Sequence, residues 1–253
     1  MKTPDLRNIT RYIALGDSIC IDLYPALDVA SRQSMEPPEG VGAASLLYKN
    51  QDWLWPEFAG HDLASYNPEM AFTNLTADGA TTTDVLEDQV AVLPADSGPA
   101  LVTLTAGGND LLWSFGSSDE ESRRARHRTE RNLREIIRRV RDHFEAVTII
   151  VGTVYDPSDG TALTDDAFLD FGDSMLRQLV LAGLHAYNDA VAKIAAKEGC
   201  LLADIHGHFM GHGTTVKDRA ERWYWEGLII EPSARGASEV RRLWLRCLEA
   251  EPA

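Results

Sequence analysis

A serine hydroxyl, a glycine backbone and a carboxamide each follow their own apolar run in this chain. Together they are parts that acyl transfer needs. Ser18 comes after Tyr12-Ile-Ala-Leu-Gly16-Asp17, Gly79 lies in Asn74-Leu-Thr-Ala-Asp-Gly-Ala-Thr81, and Asn109 lies in Thr105-Ala-Gly-Gly-Asn-Asp-Leu111. A serine becomes a useful nucleophile only when a base takes its proton, and the tetrahedral intermediate needs donors aimed at its oxyanion. Ser18 offers a hydroxyl and its own backbone N–H. Gly79 offers an N–H that substrate can approach closely, and Asn109 offers a side-chain amide. Each residue also has a plain structural reading: helix capping at Ser18, turn geometry at Gly79, a backbone-bonding turn amide at Asn109.

The segments that must position these groups read as strands of a parallel sheet. Tyr12 to Leu15, Met70 to Thr76, Ala100 to Thr105, Val147 to Val151 and Cys200 to Ile205 are short apolar or β-branched runs bounded by turn residues. Helical patterns alternate with them. Val85 to Leu93 fits a short amphipathic helix. Ser118-Asp-Glu-Glu121 forms a capping box, opening a helix whose apolar face is Leu133, Ile136, Ile137, Val140 and Phe144. The arginines from Arg123 to Arg141 make its solvated face. Met175 to Ile194 is a second long helix ended by Gly199. A second Gly-Asp-Ser, at Gly172-Asp173-Ser174, has no apolar strand before it and reads as an N-cap. Alternating strands and helices imply helices on both faces of the sheet, with functional groups at the strands' carboxyl edge. Pro- and Gly-rich sequence between Ser31 and Pro68 holds Trp53, Trp55, Pro56 and Phe58, which read as packing residues beside the first strand.

With 253 residues, 44% hydrophobic and 25% charged, the chain suits one globular domain over 1–253. A formal net charge of −15 argues against a nucleic-acid partner. No signal-peptide pattern and no apolar membrane span are present in the sequence. Three widely spaced cysteines (Cys20, Cys200 and Cys247) lack a Cys-x-x-Cys pattern and suit reduced thiols in a cytoplasmic protein.

In order and spacing, Gly16-Asp17-Ser18, the Gly79 block and Gly107-Gly-Asn109-Asp110 resemble the first three blocks of the SGNH (GDSL-type) hydrolase superfamily. The resemblance runs from about Arg11 to the C-terminal helix. It implies a three-layer α/β/α sandwich of flavodoxin-like type with a mostly parallel five-stranded sheet. It further implies hydrolysis of a small-molecule carboxylic ester through an acyl-enzyme on Ser18. Ser18, Gly79 and Asn109 would be the oxyanion donors, with no cofactor and no metal.

The resemblance breaks at the base. The family places Asp and His three residues apart before the last helix. The matching stretch here is Gly227-Leu-Ile-Ile-Glu231-Pro-Ser-Ala-Arg-Gly236, with Leu228 at the Asp position and Glu231 at the His position. Three readings follow. Glu231 is the base, with burial beside Leu228, Ile229 and Ile230 raising its pKa. Alternatively, His206, His208 or His212, which follow the fifth strand, supplies it. In the third reading the fold persists as a non-catalytic small-molecule binder. Glu231 ahead of Pro232 could equally be an exposed carboxylate at a helix start. Trp223-Tyr-Trp225 reads as core packing or as a cleft wall. Acyl group, alcohol and oligomeric state are not set by the sequence.

Overall fold

The computed structural model describes residues 4–95, 97–114, 117–161 and 174–249. Gly172 and Asp173 of the expected N-cap, and the acidic stretch 164–171, lie outside them.

Five parallel strands form one sheet: β1 (Arg11–Gly16), β2 (Ala71–Asn74), β3 (Ala100–Thr105), β4 (Val147–Gly152) and β5 (Leu201–Ala203). Their order is β2-β1-β3-β4-β5, the flavodoxin-like order. The register runs Arg11–Gly16 against Ala100–Thr105 and Arg11–Ala14 against Ala71–Asn74. β1 and β3 are buried on both faces because every residue from Tyr12 to Leu15 and from Ala100 to Thr105 is inside. β2 and β5 are shorter than the apolar runs that encode them. Asp204 leaves β5 to cap the short helix α8 (Ile205–Phe209), accepting from the Gly207 N–H at 3.0 Å.

Alternate residues of each strand feed two cores. Tyr12, Ala14, Leu101 and Ile150 face one layer, built on α1 (Leu23–Gln33), α2 (Ala43–Tyr48) and α9 (Ala234–Cys247). The single-turn helix α3 (Leu63–Tyr66) joins that layer through Leu63, and Asp62 caps it by accepting from the Ser65 N–H at 2.7 Å. Ile13, Leu15, Val102, Leu104, Ile149 and Val151 face the other layer, built on α6 (Asp119–His143) and α7 (Ser174–Glu198). The capping box at the start of α6 is formed by Ser118 and Glu121, and its expected apolar face is the buried one. Its arginines pair along the exposed face, as with Glu120 and Glu135. Phe58 sits on a single 3-10 turn (Pro56–Phe58), with the buried Arg241 guanidinium 3.4 Å above its ring.

Two features depart from the sequence reading. Val85 to Leu93 is not one regular amphipathic helix: α4 (Thr82–Asp84) runs into a π-turn (Val85–Gln89) and then a 3-10 turn (Val90–Val92). The segment ahead of the last helix is a hairpin, β6 (Tyr224–Trp225) against β7 (Leu228–Pro232). Pro232 therefore ends a strand and does not open the helix. Ser233 caps α9, its hydroxyl accepting from the Gly236 N–H at 3.1 Å.

Candidate active site

Gly16 ends β1 at φ +135°, and a Cβ there would run into the Thr105 carbonyl of β3, so only glycine lets the two strand ends come together. Gln89 fixes this corner. Its side-chain amide donates to the Gly16 carbonyl and accepts from the Gly16 N–H, both at 2.8 Å. The π-turn places Gln89 there, so one carboxamide does what a neighbouring strand would do. Asp17 then caps the 3-10 turn Ser18–Cys20 and accepts from Ile19 N–H at 3.3 Å and from Thr105 Oγ1 at 3.1 Å. Burial pushes the Asp17 carboxyl up to about 7 against the lowering effect of those bonds.

Ser18 is 7% exposed, and its hydroxyl donates to Glu231 Oε1 at 2.9 Å across 213 residues of sequence. Glu231 lies on β7, 4% exposed, and so is no surface carboxylate at a helix start. Its Oε2 has no hydrogen-bond partner among the described residues. Burial dominates its titration and raises it to about 8; the Ser18 hydrogen bond opposes this, and the charges of Asp17 and Asp78 add to it. Tyr155 anchors the strand, its hydroxyl donating to the Ile230 carbonyl at 2.7 Å. Asp28 of α1 accepts from Ala234 N–H at 3.1 Å and ties down the start of α9 just beyond.

The Gly79 and Asn109 loops stand at the same sheet edge. Ala77 N–H donates to the Gly16 carbonyl at 3.1 Å, which brings the loop after β2 onto the Ser18 corner. Gly79 has φ +70° and open space where a Cβ would stand. Asn109 is in the first turn of α5 (Gly108–Ser114), and Gly108 approaches the Asp17 carboxylate. Asn109 Nδ2 donates to the Ala80 carbonyl at 3.0 Å, which links its loop to the Gly79 loop and leaves one amide N–H to serve elsewhere. Asp110, next in sequence, accepts from Thr82 N–H and Thr82 Oγ1 at 2.8 Å and from Thr129 Oγ1 at 3.1 Å, fixing the loop pair to α6.

The three histidines after β5 are held elsewhere. His208 Nε2 meets Glu239 Oε2 at 3.1 Å. His212 stacks on Trp223 at 3.6 Å and bonds the Glu221 carbonyl. His206 packs its ring against His185. The reason is topological: β5 is three strand positions from β1, roughly 14 Å at the usual strand spacing. Of the aromatic triplet, Trp223 and Tyr224 are core residues, while half-buried Trp225 lies against Tyr24 beside the site. Among the described residues no group of three or more His, Cys, Asp or Glu is placed to hold a metal.

Gln89, Tyr24 and Tyr155 have no signature in the sequence. Glutamine in a helix and tyrosine in an apolar pattern carry no local signal of such bonds. The hairpin did carry one, since the aromatic run and Ile229-Ile230 flank a Glu226-Gly227 turn.

A parallel sheet that presents a serine at the carboxyl edge of its first strand, beside the strand-order reversal, has the layout of an α/β/α hydrolase. The chain belongs to the GDSL-like Lipase/Acylhydrolase family, whose model matches residues 14–238. Solved structures share the fold at low identity. An extracellular lipase from Streptomyces rimosus aligns with TM-score 0.63 and 20% identity, over 95% of this chain and 99% of its own. Phospholipase A1 from Streptomyces albidoflavus aligns with TM-score 0.61 and 22% identity, over 96% of this chain and 99% of its own. A variant of an acetyl xylan esterase from Geobacillus stearothermophilus aligns with TM-score 0.59 and 17% identity, over 96% of each chain. No curated protein matches the chain. No helix among the described residues is long and apolar enough to cross a membrane.

Proposed function

We propose that residues 1–253 act as one SGNH-type domain that hydrolyses a carboxylic ester through transient acylation of Ser18, with Glu231 as general base. The observation that carries this is the 2.9 Å bond from the Ser18 hydroxyl to a buried carboxylate on the hairpin. Ser18 Oγ attacks the ester carbonyl carbon and its proton passes to Glu231 Oε1. The carbonyl oxygen becomes an oxyanion, held by the Ser18 N–H, the Gly79 N–H and the Asn109 side-chain amide. The intermediate collapses, breaking the bond to the alcohol oxygen, which takes the proton back from Glu231. Water then attacks the acyl-enzyme, Glu231 again takes the proton, and the acid leaves with Ser18 restored.

A tuned carboxylate can replace a histidine here because burial has moved its pKa into the range where a general base works at mild pH. The free thiols Cys20, Cys200 and Cys247 support a further proposal, that the protein works in the cytoplasm.

The deciding experiment compares wild type with Ser18→Ala and Glu231→Gln on a short-chain aryl ester. Loss of turnover in both, with folding intact, supports the reading. Equal inertness of all three on a broad ester panel would favour a non-catalytic binding protein on the same scaffold.

A further inference from the structure

The approach to the Ser18–Glu231 pair carries charge and aromatic surface that ester cleavage does not use. Tyr24 of α1 donates its hydroxyl to Asp78 Oδ2 at 2.9 Å, and its ring meets Trp225 at 5.6 Å, tilted by 35°. Asp78 directly precedes Gly79, and Trp225 sits on the hairpin that presents Glu231. The Tyr24 phenol is pushed up to about 12 by burial first, then by the Asp78 bond and the charge of Glu231. A tyrosine ring, a tryptophan ring and the carboxyl groups of Asp78 and Glu231 are thus neighbours, with Asp17 buried close by.

Among the described residues, no lysine, arginine or histidine forms an ion pair with Asp17, Asp78 or Glu231. Glu231 is only 4% exposed, and its Oε2 is without a hydrogen-bond partner. This is an adverse place to build an oxyanion, because even after Glu231 has taken the Ser18 proton the carboxyl groups of Asp78 and Asp17 remain nearby and no fixed cation among the described residues offsets them. A positive charge delivered with the substrate would offset them. Aromatic faces beside carboxylates are also what recognises an alkylated ammonium.

We infer that Tyr24, Asp78, Trp225 and Glu231 form a subsite for an ammonium group, so that the preferred ester has an alcohol bearing a protonated or alkylated amine. This rests on the ester-hydrolase reading and names the substrate class of the same site. The net charge of −15 would draw such substrates in from solution.

The test uses matched pairs. Choline and its neutral isostere, in which tert-butyl replaces trimethylammonium, are titrated calorimetrically into the whole protein. The acetate esters of the same two alcohols are compared by kcat/KM. Choline is expected to bind about tenfold more tightly than the isostere, and its ester to be preferred by about the same factor. Added salt is expected to narrow both ratios. Asp78→Asn, on an exposed loop, and Trp225→Leu are each expected to bring the ratios toward one. Equal binding and equal kcat/KM for the two members of each pair overturn the subsite, as does a full preference surviving in both variants. The readings separate cleanly. Neutral ester turnover without preference for the cation removes the subsite alone. Choline binding without turnover of any ester removes the hydrolase reading and keeps the subsite.

Discussion

The buried carboxylate makes a quantitative demand on the pH profile. If Glu231 must be ionised to accept the Ser18 proton, activity rises with pH and is half-developed near 8, where burial has placed its titration. At pH 7 about one-tenth of the carboxyl is ionised, so kcat/KM for a neutral ester rises about tenfold toward its alkaline plateau. Glu231→Gln preserves volume and an acceptor oxygen for Ser18 but removes the basicity. Loss of a general base costs roughly a hundred- to ten-thousand-fold, about 3–5 kcal/mol of barrier. The assay is initial-rate hydrolysis of p-nitrophenyl acetate between about pH 5 and 9, with Ser18→Ala subtracted as background at each pH. His206→Ala, His208→Ala and His212→Ala serve as companions and should keep the wild-type profile, since each ring is engaged away from Ser18. A flat profile would refute the reasoning. So would a Gln variant at full rate alongside a histidine variant that is dead.

The same burial sets a stability trend. Asp17 and Glu231 hold their protons to about 7 and 8 in the native state but release them near ordinary carboxyl values when unfolded. Between those limits the unfolded chain binds fewer protons, so thermal stability falls as pH rises from about 4 to 8, and Glu231→Gln should flatten the fall seen by differential scanning calorimetry. Asn109→Ala is expected to lower kcat by about a hundred- to a thousand-fold with little change in KM if the amide acts on the oxyanion, measured under the same steady-state assay. Gln89→Leu strips two buried hydrogen bonds from the Gly16 corner and leaves the Gly16 N–H unpaired, while its carbonyl keeps the Ala77 N–H, a loss of about 2–4 kcal/mol measurable by urea denaturation. An unchanged midpoint would show that Gln89 does not hold that corner.

Much of this was written in local pattern. Strands buried on both faces must be continuous apolar runs, so β1, β3 and β4 can be read directly, as can the Ser118–Glu121 cap of α6. The Ser18, Gly79 and Asn109 blocks could be located because each follows such a run, and chain order then fixes which sheet edge they share. Tertiary structure alone decided the partner of Ser18. A hydrogen bond spanning 213 residues leaves no trace in spacing, and only the hairpin fold of β6 and β7 turns Glu231 inward where an exposed helix start would have turned it out. Strand order sets the histidines apart from Ser18 for a like reason: they share its sheet edge but follow a strand at the far end of the sheet. Sequence determines which groups the chain owns and which edge they reach. The distance between two of them depends on how the separate crossovers pack, and that is a property of the whole molecule.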